Sequence, residues 1–266
     1  MRIWTEIQEV LRRLMANERH FACTACGKCC YGLLPLTLAD ACAHADRFPL
    51  GVLWMPVRPN QRAHAITARI GTSVRLRDRR SVAVRITAVS YVPPSLPCPA
   101  LSPDGKCSIH DSKPARCRTM PFFPYVDDAE QAAQLVPRKG WECDVSEAAP
   151  IVLRDRNVLD RGDFDAERNQ LLAQAPLLRR YAEATLAATP GLLDKLGMVA
   201  SRPLGGELLL GMSTLLPHWP DIDAQDFARR QQKVLGDFSS LVGDDATVSE
   251  FAHRYRQWGR EMGRIL

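Results

Sequence analysis

The chain has 266 residues, 46% of them hydrophobic and 24% charged. This is an ordinary globular composition with no stretch apolar enough to span a bilayer, so a membrane association is not expected. The formal charge of +5 counts every cysteine as a neutral thiol; metal ligation requires thiolates, and two tetrathiolate centres of about −2 each would leave about +1, so the charge is weak support for a nucleic-acid partner.

From the N-terminus, Met1 to Asn17 repeats Ile3, Trp4, Ile7, Val10, Leu11 and Leu14 along one helical face and carries charges throughout, unlike the apolar region of a secretory leader. The expected location is therefore cytoplasmic. Phe21 to Cys30 follows as a tight loop in which Gly27 permits a turn closed to most residues. A short helix from Thr37 to Asp46 is predicted, with Thr37 as cap and Asp40 in the capping-box position. Between Ala63 and Val92, the residues Ile66, Val74, Val82, Val84, Ile86 and Val89 alternate with polar ones, which predicts two or three antiparallel strands. Pro93 to Pro124 is rich in Pro, Cys and Gly and lacks apolar periodicity, so a metal is the expected source of its order. Within it, Asp111 or Ser112 is placed to cap a helix whose first residue is Pro114.

The C-terminal part reads as helix. Phe164, Leu171, Leu172, Leu178, Ala182 and Leu186 mark one face, and Pro176 is expected to break or kink that helix. Gly205-Gly206 predicts a turn before Leu208 to Leu210. Asp223 starts a helix with the face Phe227, Val234, Phe238 and Leu241. Thr247 and Glu250 form a capping box before Val248, Phe251, Tyr255, Trp258, Met262 and Ile265. The predicted fold class is α+β: a cysteine-cluster metal-binding domain over residues 1–150, with a small antiparallel sheet, packed on a helical domain over residues 151–266.

Of nine cysteines, four crowd into Cys23-x2-Cys26-x2-Cys29-Cys30. Such a loop presents soft donors within a few ångströms, as zinc and iron in clusters require. Cys98, Cys107 and Cys117 form a second group, and Cys143 ends Gly140-Trp-Glu-Cys. These eight candidate ligands suit two four-coordinate sites, or one cluster with unligated cysteines besides; spacing leaves the pairing open. Cys42, beside alanines, is expected to be a small buried hydrophobe. Trp54, Trp141, Trp219 and Trp258 are read as packing residues, and Arg75, Arg77, Arg79 and Arg80, with Arg69 and Arg85, as a solvated strand face lacking interleaved aromatics.

Cys107-Ser-Ile-His-Asp-Ser-Lys-Pro-Ala-Arg-Cys117-Arg-Thr-Met-Pro121-Phe, with the upstream Cys-x2-Cys-Gly-x-Cys-Cys, resembles the YkgJ-type cysteine-cluster family of zinc- or iron-chelating domains over about Phe21 to Phe122. Similar patterns occur in flagellin lysine N-methylase, a resemblance that implies a 4Fe-4S centre and methyl transfer. Lys113-Pro114 departs from the Arg-Pro often found in the family, and lysine does not reproduce a bidentate arginine contact. Arg116 and Arg118 are placed to offset an anionic centre, and His110 is read as packing and not as a ligand.

No radical S-adenosylmethionine Cys-x3-Cys-x2-Cys, nucleotide loop, Gly-x-Ser-x-Gly or His-Glu-x-x-His motif is present, so no catalytic residue is nominated and enzymatic activity stays open. The sequence reading is a 4Fe-4S protein for redox or group transfer with an unidentified protein or redox partner. A non-catalytic zinc module is the alternative, and metal trafficking the third.

Overall fold

The structure, a computed structural model, describes residues 18–243 and 247–266. The helix expected over Met1 to Asn17 lies outside the described residues.

An antiparallel five-stranded sheet forms the centre of the fold. Its strands are β2 (Leu34–Leu36), β3 (Leu50–Val57), β4 (Thr72–Arg75), β5 (Ser81–Ser90) and β8 (Leu208–Gly211), while β1 (Arg19–His20), β6 (Ile151–Arg154) and β7 (Asn157–Val158) make a small second sheet. β5 pairs along its length with β3, and its other edge is shared by β2 at residues 88–90 and β4 at residues 81–84. β8 then closes on β3, opposite Gly51 to Trp54.

The strand prediction needs two corrections. Residues His64–Ile70 form helix α2, because Ile66, Thr67 and Ile70 bury one helical face. β3 was not anticipated: Leu50–Val57 is a nearly continuous buried run without polar alternation, as a strand covered on both faces reads.

The remaining helices are α1 (Leu38–Ala43), α3 (Ala115–Thr119), α4 (Gly162–Ala188), α5 (Leu192–Ser201), α6 (Ala224–Val242) and α7 (Ser249–Gly263). Thr37 caps α1 by accepting from the Asp40 amide, and Asp223 caps α6 by accepting from the Asp226 amide. α1 is shorter than expected and ends at Ala43. Pro176 lies inside α4 without ending it. At the start of α7 Val248, and not Thr247, occupies the cap position, and Glu250 pairs with Arg254 at 2.9 Å.

The principal core joins Leu50, Val52, Trp54, Val84 and Ile86 of the sheet to Leu178, Tyr181, Leu196, Phe227, Leu235, Tyr255, Trp258 and Met262 of the helices. Sheet and core therefore draw on residues from both sides of position 150. One close approach explains two glycines. Gly51 and Gly211 face each other across β3 and β8, and a Cβ on either would stand 2.7 or 2.8 Å from the Trp258 indole. The indole lies where any larger residue would put its side chain. Trp54 is likewise buried, edge-on to Tyr181 at 5.5 Å.

A smaller core of Phe21, Phe122, Leu135, Leu153, Val158 and Phe164 ties the cysteine-rich segment to β6, β7 and the start of α4. Among the described residues, no helix is long and apolar enough to cross a membrane. The architecture is α+β.

Candidate metal centre

The cysteine loop is held by backbone pairing to two separate partners. On one side, Ala22 and Asp144 exchange both amide bonds, at 2.7 and 3.0 Å, and the Thr24 hydroxyl donates to the Glu142 carbonyl at 3.0 Å. Cys23 and Cys143 lie between those two contacts, directly opposite each other, where antiparallel strands send side chains to the same face. The backbone amides of Lys28 and Glu142 favour the Cys26 thiolate, which draws its ionisation below the ordinary thiol range. Cys23 and Cys143 thus meet on one short strip.

On the other side, the Cys98 amide donates to the Cys30 carbonyl at 2.8 Å, and Tyr31 bridges to Pro97. Leu101 bridges to Cys107, bringing that cysteine back beside Cys98. Gly27, with φ of +70°, turns the loop against this hairpin; a Cβ there would lie 3.2 Å from the Gly105 carbonyl oxygen and 3.3 Å from Leu101 Cδ1. α3 contributes Cys117. Cys29 and Cys30 are adjacent in the chain, and the influence of each thiol on the other raises Cys29 and lowers Cys30, while the nearby charges of Cys98, Cys117 and Cys107 oppose ionisation of Cys30. Burial raises Cys98, and burial with the neighbouring thiols pushes Cys117 up to about 12.

All eight predicted cysteines therefore fall in one region, as two neighbouring groups. Cys29 stands at the junction, felt by Cys98 and Cys117 on one side and Cys143 on the other. Among the described residues, no three His, Cys, Asp or Glu side chains are already arranged to hold a metal ion. The donor chemistry nonetheless fits a thiophilic centre. Buried neutral thiols crowded against one another become thiolates when a cation supplies the compensating charge, and each Sγ moves through a single χ1 rotation. Amides already point at sulfur, with Ala25 N donating to Cys23 Sγ and Ala100 N to Cys98 Sγ, each at 3.4 Å.

The surroundings correct several sequence expectations. α3 begins at Ala115, after Pro114, and the group bonded to its first amide is the Asp40 carboxylate, at 3.2 Å, in place of Asp111 or Ser112. Arg116 turns away from the thiols. It is buried, pairs with Glu167 of α4 at 3.3 Å, donates to the Phe122 carbonyl and lies over the Phe123 ring. Burial works against charge on both members of the pair, lowering Arg116 and raising Glu167. Arg118 also reaches outward, to Asp163 at 3.1 Å and the Lys113 carbonyl at 2.6 Å. The positive charge that favours ionisation of Cys29 comes from Lys113, the residue departing from the family pattern.

His110 is exposed in a short 3₁₀ turn and packs into no described core cluster. Cys42 is only half-buried on α1, its carbonyl accepting from Arg230. Arg75, Arg77, Arg79 and Arg80 are solvated, with Arg77 paired to Asp194 and Arg80 to Asp78. Arg85 departs from that set: its guanidinium is sequestered over Tyr125, 4.8 Å from the ring centre.

Residues 22–143 match the family model CxxCxxCC, described as "Putative zinc- or iron-chelating domain". This segment, less than half of the chain, matches the cysteine-cluster family that its motif resembles, and that family's description supports a metal-binding role. No curated protein and no solved structure matches the chain.

Proposed function

We propose that the chain holds an iron–sulfur centre, of the 4Fe-4S type, through the thiols of the cysteine segment, and that this centre serves redox or group-transfer chemistry. The observation that carries the reading is the gathering of Cys29, Cys30, Cys98, Cys107 and Cys117 around one hairpin and the start of α3. Five soft donors exceed what one structural zinc takes, and the amide on Cys98 Sγ is the kind of contact that tunes a cluster's potential. Bound there, a cluster would supply electron transfer or a Lewis-acidic iron. The chain's own residues hold the thiols beside α3, and the Arg116–Glu167 pair locks α3 to α4.

The test is iron and acid-labile sulfide content of protein purified without oxygen, read with the visible spectrum. About four iron and four sulfide per centre, with absorption near 400 nm, is the expected result. Stoichiometric zinc without sulfide, and no such absorption after anaerobic reconstitution, overturns the iron–sulfur assignment. A structural zinc reading draws on a different feature: residues 93–124 contain only short helical pieces and turns, which a closed tetrathiolate ion would order.

A further inference from the structure

We propose that Arg85, Thr87 and Tyr125 form a recognition site for the carboxylate of a small monoacid with an apolar body, on one face of the central sheet. Arg85 and Thr87 lie two residues apart on β5 and so share that face. The Arg85 guanidinium lies over the Tyr125 ring, 4.8 Å from its centre, and 5.8 Å from the centre of the Phe123 ring. Among the described residues it has no carboxylate partner, and its hydrogen bond goes to Met55 Sδ at 3.0 Å, a weak acceptor. Ring faces offset only part of what it costs to take a guanidinium out of water. Beside it, the hydroxyls of Tyr125 and Thr87 are buried without a hydrogen-bond partner, on residues 1% and 2% exposed. Burial keeps the Tyr125 phenol protonated, so it remains a donor. A cation and two hydroxyls thus stand together without an acceptor.

The charge inventory selects the ligand. Arg116, 5.0 Å from the Phe123 ring centre, is neutralised by Glu167. The half-buried Asp40 spends its carboxylate on the Ala115 amide and the Thr37 hydroxyl. Arg85 is therefore the surplus cation, and one negative charge balances it. A planar carboxylate matches the guanidinium fork in two parallel N–H···O bonds, whereas a phosphate dianion brings one charge more than the site compensates. Exposure gives the way in. On this face Leu53, Val57 and Thr87 are buried, but Arg85 and Met55, opposite each other on β5 and β3, are only half-buried. Solvent reaches the sheet at that pair, where Met55, Phe123 and Tyr125 offer apolar surface to the body of the acid. The site shares no residue with the cysteine groups and stands independently of the metal they hold.

The experiment titrates benzoate, acetate and inorganic phosphate into the full-length chain, purified with whatever metal it carries, by calorimetry at ionic strength fixed with chloride. Wild-type protein is expected to take up one equivalent of benzoate or acetate saturably. Arg85→Lys keeps the charge but not the fork, and should bind at least tenfold more weakly. Tyr125→Phe removes one hydrogen bond to a charged group and should weaken binding about tenfold. Arg77→Met, at an exposed arginine on the turn after β4, should bind as wild type does. Circular dichroism checks each fold; where Arg85→Lys does not fold, Tyr125→Phe, which loses only an unpartnered hydroxyl, carries the test. The proposal is overturned if wild-type protein takes up neither acid saturably, if affinity is unchanged in folded Arg85→Lys or in Tyr125→Phe, or if phosphate binds as tightly as the acids.

Discussion

The carboxylate of Asp40, in α1, accepts from the amide of Ala115 at 3.2 Å, so a residue far upstream caps the short helix that carries Cys117. The same oxygen accepts from the Thr37 hydroxyl at 2.8 Å. Asp40→Ala frees both donors. By the worth of helix caps and charged hydrogen bonds, it should cost about 1 to 2 kcal/mol of unfolding free energy and weaken retention of the metal. Denaturant unfolding of the metal-free and metal-loaded forms measures both; an unchanged midpoint in each would exclude the capping role.

Arg116 and Glu167 make a buried pair in which removal of the cation leaves a buried carboxylate. Arg116→Met should cost about 3 to 5 kcal/mol at neutral pH. Its pH dependence follows from the sign of the Glu167 shift. Burial already raises Glu167, and Arg116 opposes that rise, so removing Arg116 raises it further. A carboxyl raised above its unfolded value contributes stability that is full below the unfolded pKa and lost as pH climbs through the folded one. The Arg116→Met penalty should therefore shrink toward pH 4, and Glu167→Gln, which is never ionised, should cost less than Arg116→Met at pH 7. Equal penalties at both pH values would reject the assignment.

Gln231, fully buried on α6, donates to the carbonyls of Ala45 and Phe48 at 2.6 and 2.8 Å and accepts from the Leu50 amide at 3.0 Å. One amide side chain thus pins the turn that feeds β3. Gln231→Leu strands three backbone groups and should cost about 3 kcal/mol or more, seen as a lower denaturation midpoint. A loss below about 1 kcal/mol would mean that the turn finds other partners.

Gly27→Ala puts a side chain on a backbone at φ +70° and against the Gly105 carbonyl. The conformation alone costs about 1 to 2 kcal/mol, and the contact pushes the cysteine loop off the Leu101–Cys107 hairpin. Metal retained after dialysis against a chelator should fall relative to wild type, and full retention would show that the loop does not need this turn.

The sequence made the thiols legible because their chemistry is local: four cysteines in one loop need no fold to be recognised as donors. Amphipathic helices such as Ala224–Val242 were legible for the same reason, since their period is written into consecutive residues. What could not be read were the long-range partners. Cys23 and Cys143 meet through a bridge between distant segments, and Arg116 finds Glu167 on another helix, so proximity to a ligand in sequence misdirected its role. β3 was hidden because burial on both faces erases alternation, and the Gly51–Gly211–Trp258 contact is visible only when two strands and a helix are superposed in space.

X-ray absorption at the metal edge of protein purified without oxygen addresses the thiolate centre most directly. The account predicts a first shell of sulfur alone, at about 2.3 Å, with a metal–metal shell for an iron–sulfur cluster. A first shell of nitrogen or oxygen without sulfur would contradict it.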